Sequence, residues 1–272
     1  AGRRAQAGHP PPPDPQDRIL TVASMGRNLL VTGGSRGIGA AIARLAAARG
    51  YAVCLSYHTD HSAAEAVVAE IAAQGGTAVA VQADVAVEAD VLRLFAECDA
   101  RLGPLDAFVN NAGILARQMR VDEMDAARLE RVFATNITGA FLCAREAVRR
   151  MSTRHGGRGG AIVNLSSRAA RIGSPGEYVD YAASKAAIDT LTLGLAKEVA
   201  TEGIRVNGVA PGLIETEIHA SGGEPGRVAR LAPGVPMQRG GTPDEVARAV
   251  LWLLSDEASY TTGSILDVAG GR

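Results

Sequence analysis

Lysine is almost missing from this chain. Of its 28 basic residues, 26 are arginine and only two, Lys185 and Lys197, are lysine. A residue used so sparingly stands out wherever it falls beside another reactive group. Cysteine is scarce too: Cys54, Cys98 and Cys143 are an odd number without metal-ligand spacing. They read as free thiols of a cytoplasmic, reducing compartment, not as a disulfide framework, and no metal is expected. The net charge is only −1, so no surplus points to nucleic acid or to an anionic membrane. No apolar run approaches the ~18 residues of a membrane span. Aromatics make up 4%, with four Phe and one Trp, which argues against a large stacking pocket. What is present is ordinary globular material: 272 residues, 47% apolar and 21% charged, enough for a full core and unlike a disordered or collagen-like chain.

The N-terminus differs from the rest. Ala1 to Ser24 contain Pro10 to Pro13 and Pro15, and the longest apolar stretch, Ile19 to Ala23, is broken by Thr21. That is shorter than the ~7–15 residues of a signal-peptide core. The expectation is a disordered Pro-rich tail over 1–24, either a spacer or a polyproline ligand, followed by one domain over 25–272.

From Arg27 onward short apolar runs alternate with helical patterns. Strands are predicted at 28–32, 51–57, 77–82, 105–110, 161–165, 204–210 and 264–268. Helices are predicted at 38–49, 62–73, 87–101, 122–134, 138–152, 180–202 and 243–254, with a weak break near Asn136. Repeated β-α-β units with continuous apolar strands predict an α/β Rossmann-type fold. It is one doubly wound domain, a seven-stranded parallel sheet with helices on both faces. Ligands in such sheets sit at the C-terminal strand ends, so the residues after each strand are where chemistry is expected.

The first strand runs into Thr32-Gly33-Gly34-Ser35-Arg36-Gly37-Ile38-Gly39, and a helix follows at once. Gly33 permits the tight turn, Gly37 lets backbone approach a pyrophosphate, and Gly39 lets the helix pack close to the strand. The helix N-terminus then offers free N–H groups to phosphate. Further on, Tyr181 and Lys185 are four residues apart on a predicted helix and share a face. With five tyrosines and two lysines in the chain, about 0.04 such pairs are expected by chance. Tyr178 has Ala182 at the matching place and is excluded. A free tyrosine titrates near ~10, and a neighbouring ammonium favours its phenolate, so the pair suits general acid–base work.

The T-G-x-x-x-G-x-G spacing resembles the compact branch of the short-chain dehydrogenase/reductase family. Other motifs match in order: Asn110-Asn111-Ala112-Gly113, Asn136, Ser166-Ser167, Tyr181-x-x-x-Lys185 and Pro211-Gly212. The stretch 173–226 and the ending 251–271 look most like bacterial glucose-1-dehydrogenase-like members. The resemblance implies an oxidoreductase moving hydride between a nicotinamide and a carbonyl or alcohol. Tyr181, Lys185, Ser167 and Asn136 would be its catalytic set. Ser167 lies 14 residues before Tyr181, one more than in many relatives, which leaves Ser166 as an alternative.

For the cofactor, the resemblance implies contacts from Gly33, Ser35, Arg36, Gly37, Ile38, Gly39, Tyr57, His58, Asp84, Val85, Asn110, Ala112, Gly113, Lys185, Pro211, Gly212, Ile214 and Thr216. No carboxylate follows the second strand until Asp60, and Arg36 can pair with a 2′-phosphate, so NADP(H) is expected over NAD(H). The alternative has Arg36 solvated and Asp60 on the ribose. Asp84 holds the adenine, caps the next helix, or both. The stretch 213–241 is expected to form a substrate lid, in which His219, Glu215 and Glu217 are read as solvated, with contact to substrate as the alternative, and Arg227, Arg230 and Arg239 as scattered. The substrate is a small carbonyl or alcohol, with no nucleic acid or membrane partner. Long helices are expected to pair copies into a homotetramer or homodimer. A sugar dehydrogenase using NAD(H) and a non-catalytic NADP(H)-binding regulator are the other readings.

Overall fold

Seven short apolar runs in the chain become seven parallel strands in the computed structural model, which describes residues 26–272. The Pro-rich tail expected at 1–24 lies outside the described residues. The strands are β1 (Arg27–Val31), β2 (Tyr51–Tyr57), β3 (Thr77–Gln82), β4 (Ala107–Asn110), β5 (Gly160–Leu165), β6 (Ile204–Pro211) and β7 (Ile265–Val268). Their order is β3-β2-β1-β4-β5-β6-β7. The order reverses between β1 and β4, which pair through Leu29↔Ala107 and Val31↔Val109, and a ligand crevice is expected there.

Strand alternation sorts the core into two layers. Leu29 and Val31 face one helical layer, while Leu30 between them faces the other. The first layer comprises α1 (Gly37–Ala48), α2 (His61–Ala73) and α10 (Pro243–Leu254). Small Ala40, Ala43 and Ala46 of α1 share this layer's core with Val246, Val250 and Leu251 of α10. The second layer comprises α3 (Glu88–Leu102), α5 (Ala140–Met151) and α7 (Val179–Val199). Here Leu94, Phe95 and Met151 are fully buried, each worth roughly 1.5–3 kcal/mol by transfer from water. The three cysteines are buried free thiols, and desolvation pushes Cys143 up to about 12, so it does not act as a nucleophile.

Two expected features take a different form. The weak break near Asn136 is no break: α4 (Ala126–Phe133) passes into α5 through a π-helical turn over Ala134–Gly139. Such a turn widens the helix by one residue and re-aims its side chains. The irregular stretch after β6 is also partly helical, with α8 (Ile218–Ser221) and α9 (Arg227–Leu231). Its two ends are zipped together, Glu215 N donating to Gly241 O and Gly241 N to Leu213 O, both at 2.9 Å. A further short helix, α6 (Ala169–Ile172), follows β5. Among the described residues, no helix is long and apolar enough to cross a membrane.

Candidate active site

The glycine loop joins β1 to α1 at the crevice. Gly33 and Gly37 have φ of +65° and +53°, a region that costs other residues strain. A Cβ on Gly39 would lie 2.2 Å from Gly33 O, so only glycine lets the helix start so close to the turn. The loop rests on the end of β2: Gly33 N donates to Ser56 Oγ at 3.1 Å, and Gly34 N to Ser56 O at 2.8 Å. No side chain caps the start of α1. A bare helix N-terminus behind a left-handed glycine turn suits a pyrophosphate, so these residues fit a dinucleotide.

Arg36 is exposed and has no carboxylate partner among the described residues. Asp60, its rival for the ribose, is occupied: its Oδ1 accepts from Ala63 N at 2.9 Å and caps α2. Tyr57 and His58 also have neighbours. The Tyr57 hydroxyl meets His61 Nδ1 at 2.9 Å, and His58 Nε2 lies 3.6 Å from Asp84 Oδ2. Of the two readings of Asp84, the helix cap does not form, because Val87 holds that position. Instead Asp84 Oδ1 accepts from Ala86 N at 2.9 Å in a local turn. Val85 is buried against Gly139 of the π turn, where an added Cβ would meet Val85 O at 2.7 Å.

A cleft beyond this loop is bordered by Ile38, Gly113, Ser167, Tyr181, Lys185, Pro211, Gly212, Ile214 and Thr216. Helix α7 brings Tyr181 and Lys185 to one face, with Lys185 Nζ 5.6 Å from the Tyr181 ring centre. Burial raises the Tyr181 pKa, and a hydrogen bond with the Ser167 hydroxyl draws it back only in part. Lys185 donates to Leu165 O at 2.7 Å, and burial pushes it down to about 8 against the opposing pull of Asp189. The ammonium is engaged by a carbonyl at the end of β5, and desolvation dominates at the phenol.

The two serines part company. Both border the cleft, but Ser166 is buried and its hydroxyl donates to Lys185 O at 3.3 Å, whereas the Ser167 hydroxyl is hydrogen-bonded with Tyr181. Asn136 is also buried, and its amide clamps the chain after β4. Oδ1 accepts from Ile114 N at 2.8 Å, and Nδ2 donates to Ile114 O at 3.0 Å and to Ser184 Oγ at 3.1 Å. Asn110 turns away from the cleft, against its expected cofactor role. Its Nδ2 donates to Ala140 O at 3.0 Å and Asn164 Oδ1 at 3.2 Å inside the core. Asn111 takes the bordering place and ties Thr32 O at 2.8 Å to Gly33 O at 3.0 Å. Ala112 N donates to Thr32 Oγ1 at 3.1 Å, which fixes the same turn.

The lid differs most from expectation. His219 is half-buried at the cleft, not solvated, and its Nε2 donates to Ile214 O at 2.8 Å. Glu215 and Glu217 are exposed as expected. Arg227 and Arg230 are not scattered. Arg227 Nη1 donates to Glu177 Oε1 at 2.8 Å and Glu224 Oε2 at 3.2 Å, and Arg230 Nη2 donates to Glu224 Oε2 at 2.9 Å. The Arg227 guanidinium also lies 5.2 Å over the Tyr178 ring. The lid is thus fastened to the loop just before α7. Tyr178, Glu177 and Arg227 had no sequence signal beyond unassigned opposite charges about fifty residues apart.

Comparison with known proteins agrees with this geometry. The profile of the enoyl-(acyl carrier protein) reductase family matches residues 33–272. An uncharacterised oxidoreductase of Escherichia coli K12, YgfF, is 59% identical over 243 residues, covering 89% of this chain and 98% of that protein. The 3beta-hydroxysteroid dehydrogenase 1 of Eggerthella lenta is 42% identical over 247 residues, covering 90% and 93%. A crystal structure of a short-chain type dehydrogenase/reductase from Mycobacterium marinum superposes with a TM-score of 0.85 at 36% identity, covering 90% and 95%. With a glycine loop suited to a dinucleotide and a Tyr-Lys pair beside it, the chain belongs to the short-chain dehydrogenase/reductase family, NAD(P)(H)-dependent oxidoreductases of carbonyl and alcohol groups.

Proposed function

We propose that the protein is an NADP(H)-dependent carbonyl reductase or alcohol dehydrogenase in which Tyr181 handles the proton. The carrying observation is the meeting of Tyr181 with Ser167 and Lys185 at one cleft next to the glycine loop. Bound NADPH would supply the hydride. Ser167 holds the carbonyl oxygen and Tyr181 donates a proton to it, because desolvation keeps its phenol protonated. Lys185 holds the nicotinamide ribose, and the Asn136 backbone continues the proton path to solvent. Pro211, Gly212, Ile214 and Thr216 pack on the nicotinamide. The preference for the 2′-phosphate rests on Arg36, free of carboxylates among the described residues, and on Asp60, already committed to capping α2.

The catalytic unit is 25–272, and its three free thiols suit a reducing cytoplasm. Exposed Phe141 on α5 and Leu193 on α7 suit a homo-oligomer paired through these helices. The test is a steady-state screen of small ketones, sugars and 3-oxoacyl thioesters with NADPH and NADH. Turnover with a preference for NADPH supports the reading. Binding of NADPH with no turnover on any carbonyl or alcohol contradicts it and favours a cofactor-binding regulator.

A further inference from the structure

Beside Tyr181 two charged side chains lie inside the protein. Asp180 immediately precedes it in the first turn of α7 with its side chain 1% exposed, and Arg128 of α4 is 6% exposed. They meet as two forks: Arg128 Nε donates to Oδ2 at 2.8 Å and Nη2 to Oδ1 at 3.1 Å. The remaining nitrogen, Nη1, donates to Arg117 O at 2.6 Å and touches Met119 Sδ at 3.8 Å. Arg128 is itself fixed, because Asp125 Oδ1 caps its backbone N at 2.8 Å.

A buried ion pair is a poor source of stability, since apolar residues of similar volume often serve as well. Its bidentate geometry does something that apolar packing does not: it fixes angle and register. Here it fixes two things at once. One is the first turn of α7, which carries Tyr181. The other is the irregular segment after β4, whose Leu115 borders the cleft. Asn136 holds the same segment at Ile114, so it is pinned from both ends by α4 and the π turn. The lid seats on this segment too, since a Cβ on Gly222 would lie 2.9 Å from Leu115 Cδ2.

We infer that Arg128 and Asp180 are a positioning pair that holds the Tyr181 phenol in register with the substrate-facing wall at Leu115. The inference rests on the proposed role of Tyr181. Neither residue borders the cleft, so both act through what they hold. Misplacing a reacting group by about 1 Å costs on the order of 100-fold in rate, so a loosened clamp is expected to show in kcat.

The test is the double variant Arg128→Met/Asp180→Leu, which replaces the pair with apolar side chains, alongside Arg128→Lys. The double variant is expected to melt within a few degrees of the parent and bind NADPH equally, while kcat falls about tenfold or more. Arg128→Lys, which keeps the charge and loses the fork, is expected to fall between them. An activity-free readout uses protein labelled with 13Cζ-tyrosine, the Tyr181 signal being assigned by its loss in Tyr181→Phe. Its titration is expected to shift in the double variant while the other tyrosine signals stay. Parental kcat and an unmoved Tyr181 titration would overturn the inference. So would a loss of kcat matched by equal losses of melting temperature and NADPH affinity. A parent without turnover contradicts the proposed function instead, and the Tyr181 resonance then judges the pair alone.

Discussion

Lys185 of α7 donates to the carbonyl of Leu165, the last residue of β5, at 2.7 Å. One of the chain's two lysines is thereby withdrawn from water and held between Tyr181 and the sheet. Burial lowers it from the ordinary 10.5 to about 8. In protein labelled with 13C-lysine, the signal that disappears in Lys185→Arg is expected to titrate near 8. A midpoint near 10.5 would show that the ammonium is solvated.

The same burial sets a sign for stability. The unfolded chain holds this proton more tightly than the folded one, so between pH 8 and 10.5 unfolding takes up a proton. The Lys185 contribution to unfolding free energy therefore rises with pH across that window, by an amount on the order of 3 kcal/mol at full extent. Urea melts from pH 7.5 to 10 check it, with Lys185→Met as the reference that lacks this rise.

Arg36 is expected to govern the choice of cofactor. Arg36→Ala should weaken NADPH about 10- to 100-fold, the worth of a charge-assisted hydrogen bond to phosphate, and leave NADH nearly unchanged. Fluorescence titration with both cofactors reads this directly. Equal weakening of both would assign Arg36 to the pyrophosphate or to the loop itself.

Asn136→Ala should cost about 1–3 kcal/mol in denaturant unfolding. It leaves the partly buried Ile114 N–H and C=O without their partner. An unchanged midpoint would mean that water replaces the amide at no cost.

The strands and the Tyr-Lys pair were legible because each is a local pattern: an apolar run, glycines at fixed offsets, or an i,i+4 pair. What stayed hidden depends on partners far away in sequence. Arg128 and Asp180 lie 52 residues apart, and Glu177 and Arg227 lie 50 apart. Nothing local marks either pair. The π turn around Asn136 read only as a weak break, since one extra residue in a helical turn leaves no distinct local pattern. Asn110 matched a motif, yet strand alternation sends its side chain into the core and leaves Asn111 at the cleft. His219 read as solvated because the neighbours that cover it come from a lid whose folding is set by the Arg227 and Arg230 ion pairs.

In the proposed function Tyr181 donates the proton, while other residues hold the cofactor. The most direct measurement is single-turnover oxidation of enzyme-bound NADPH by a carbonyl substrate in Tyr181→Phe, with the NADPH dissociation constant measured alongside. The prediction is unchanged NADPH binding and a rate reduced by about 100-fold or more. A phenylalanine variant that turns over at the parental rate would contradict the account.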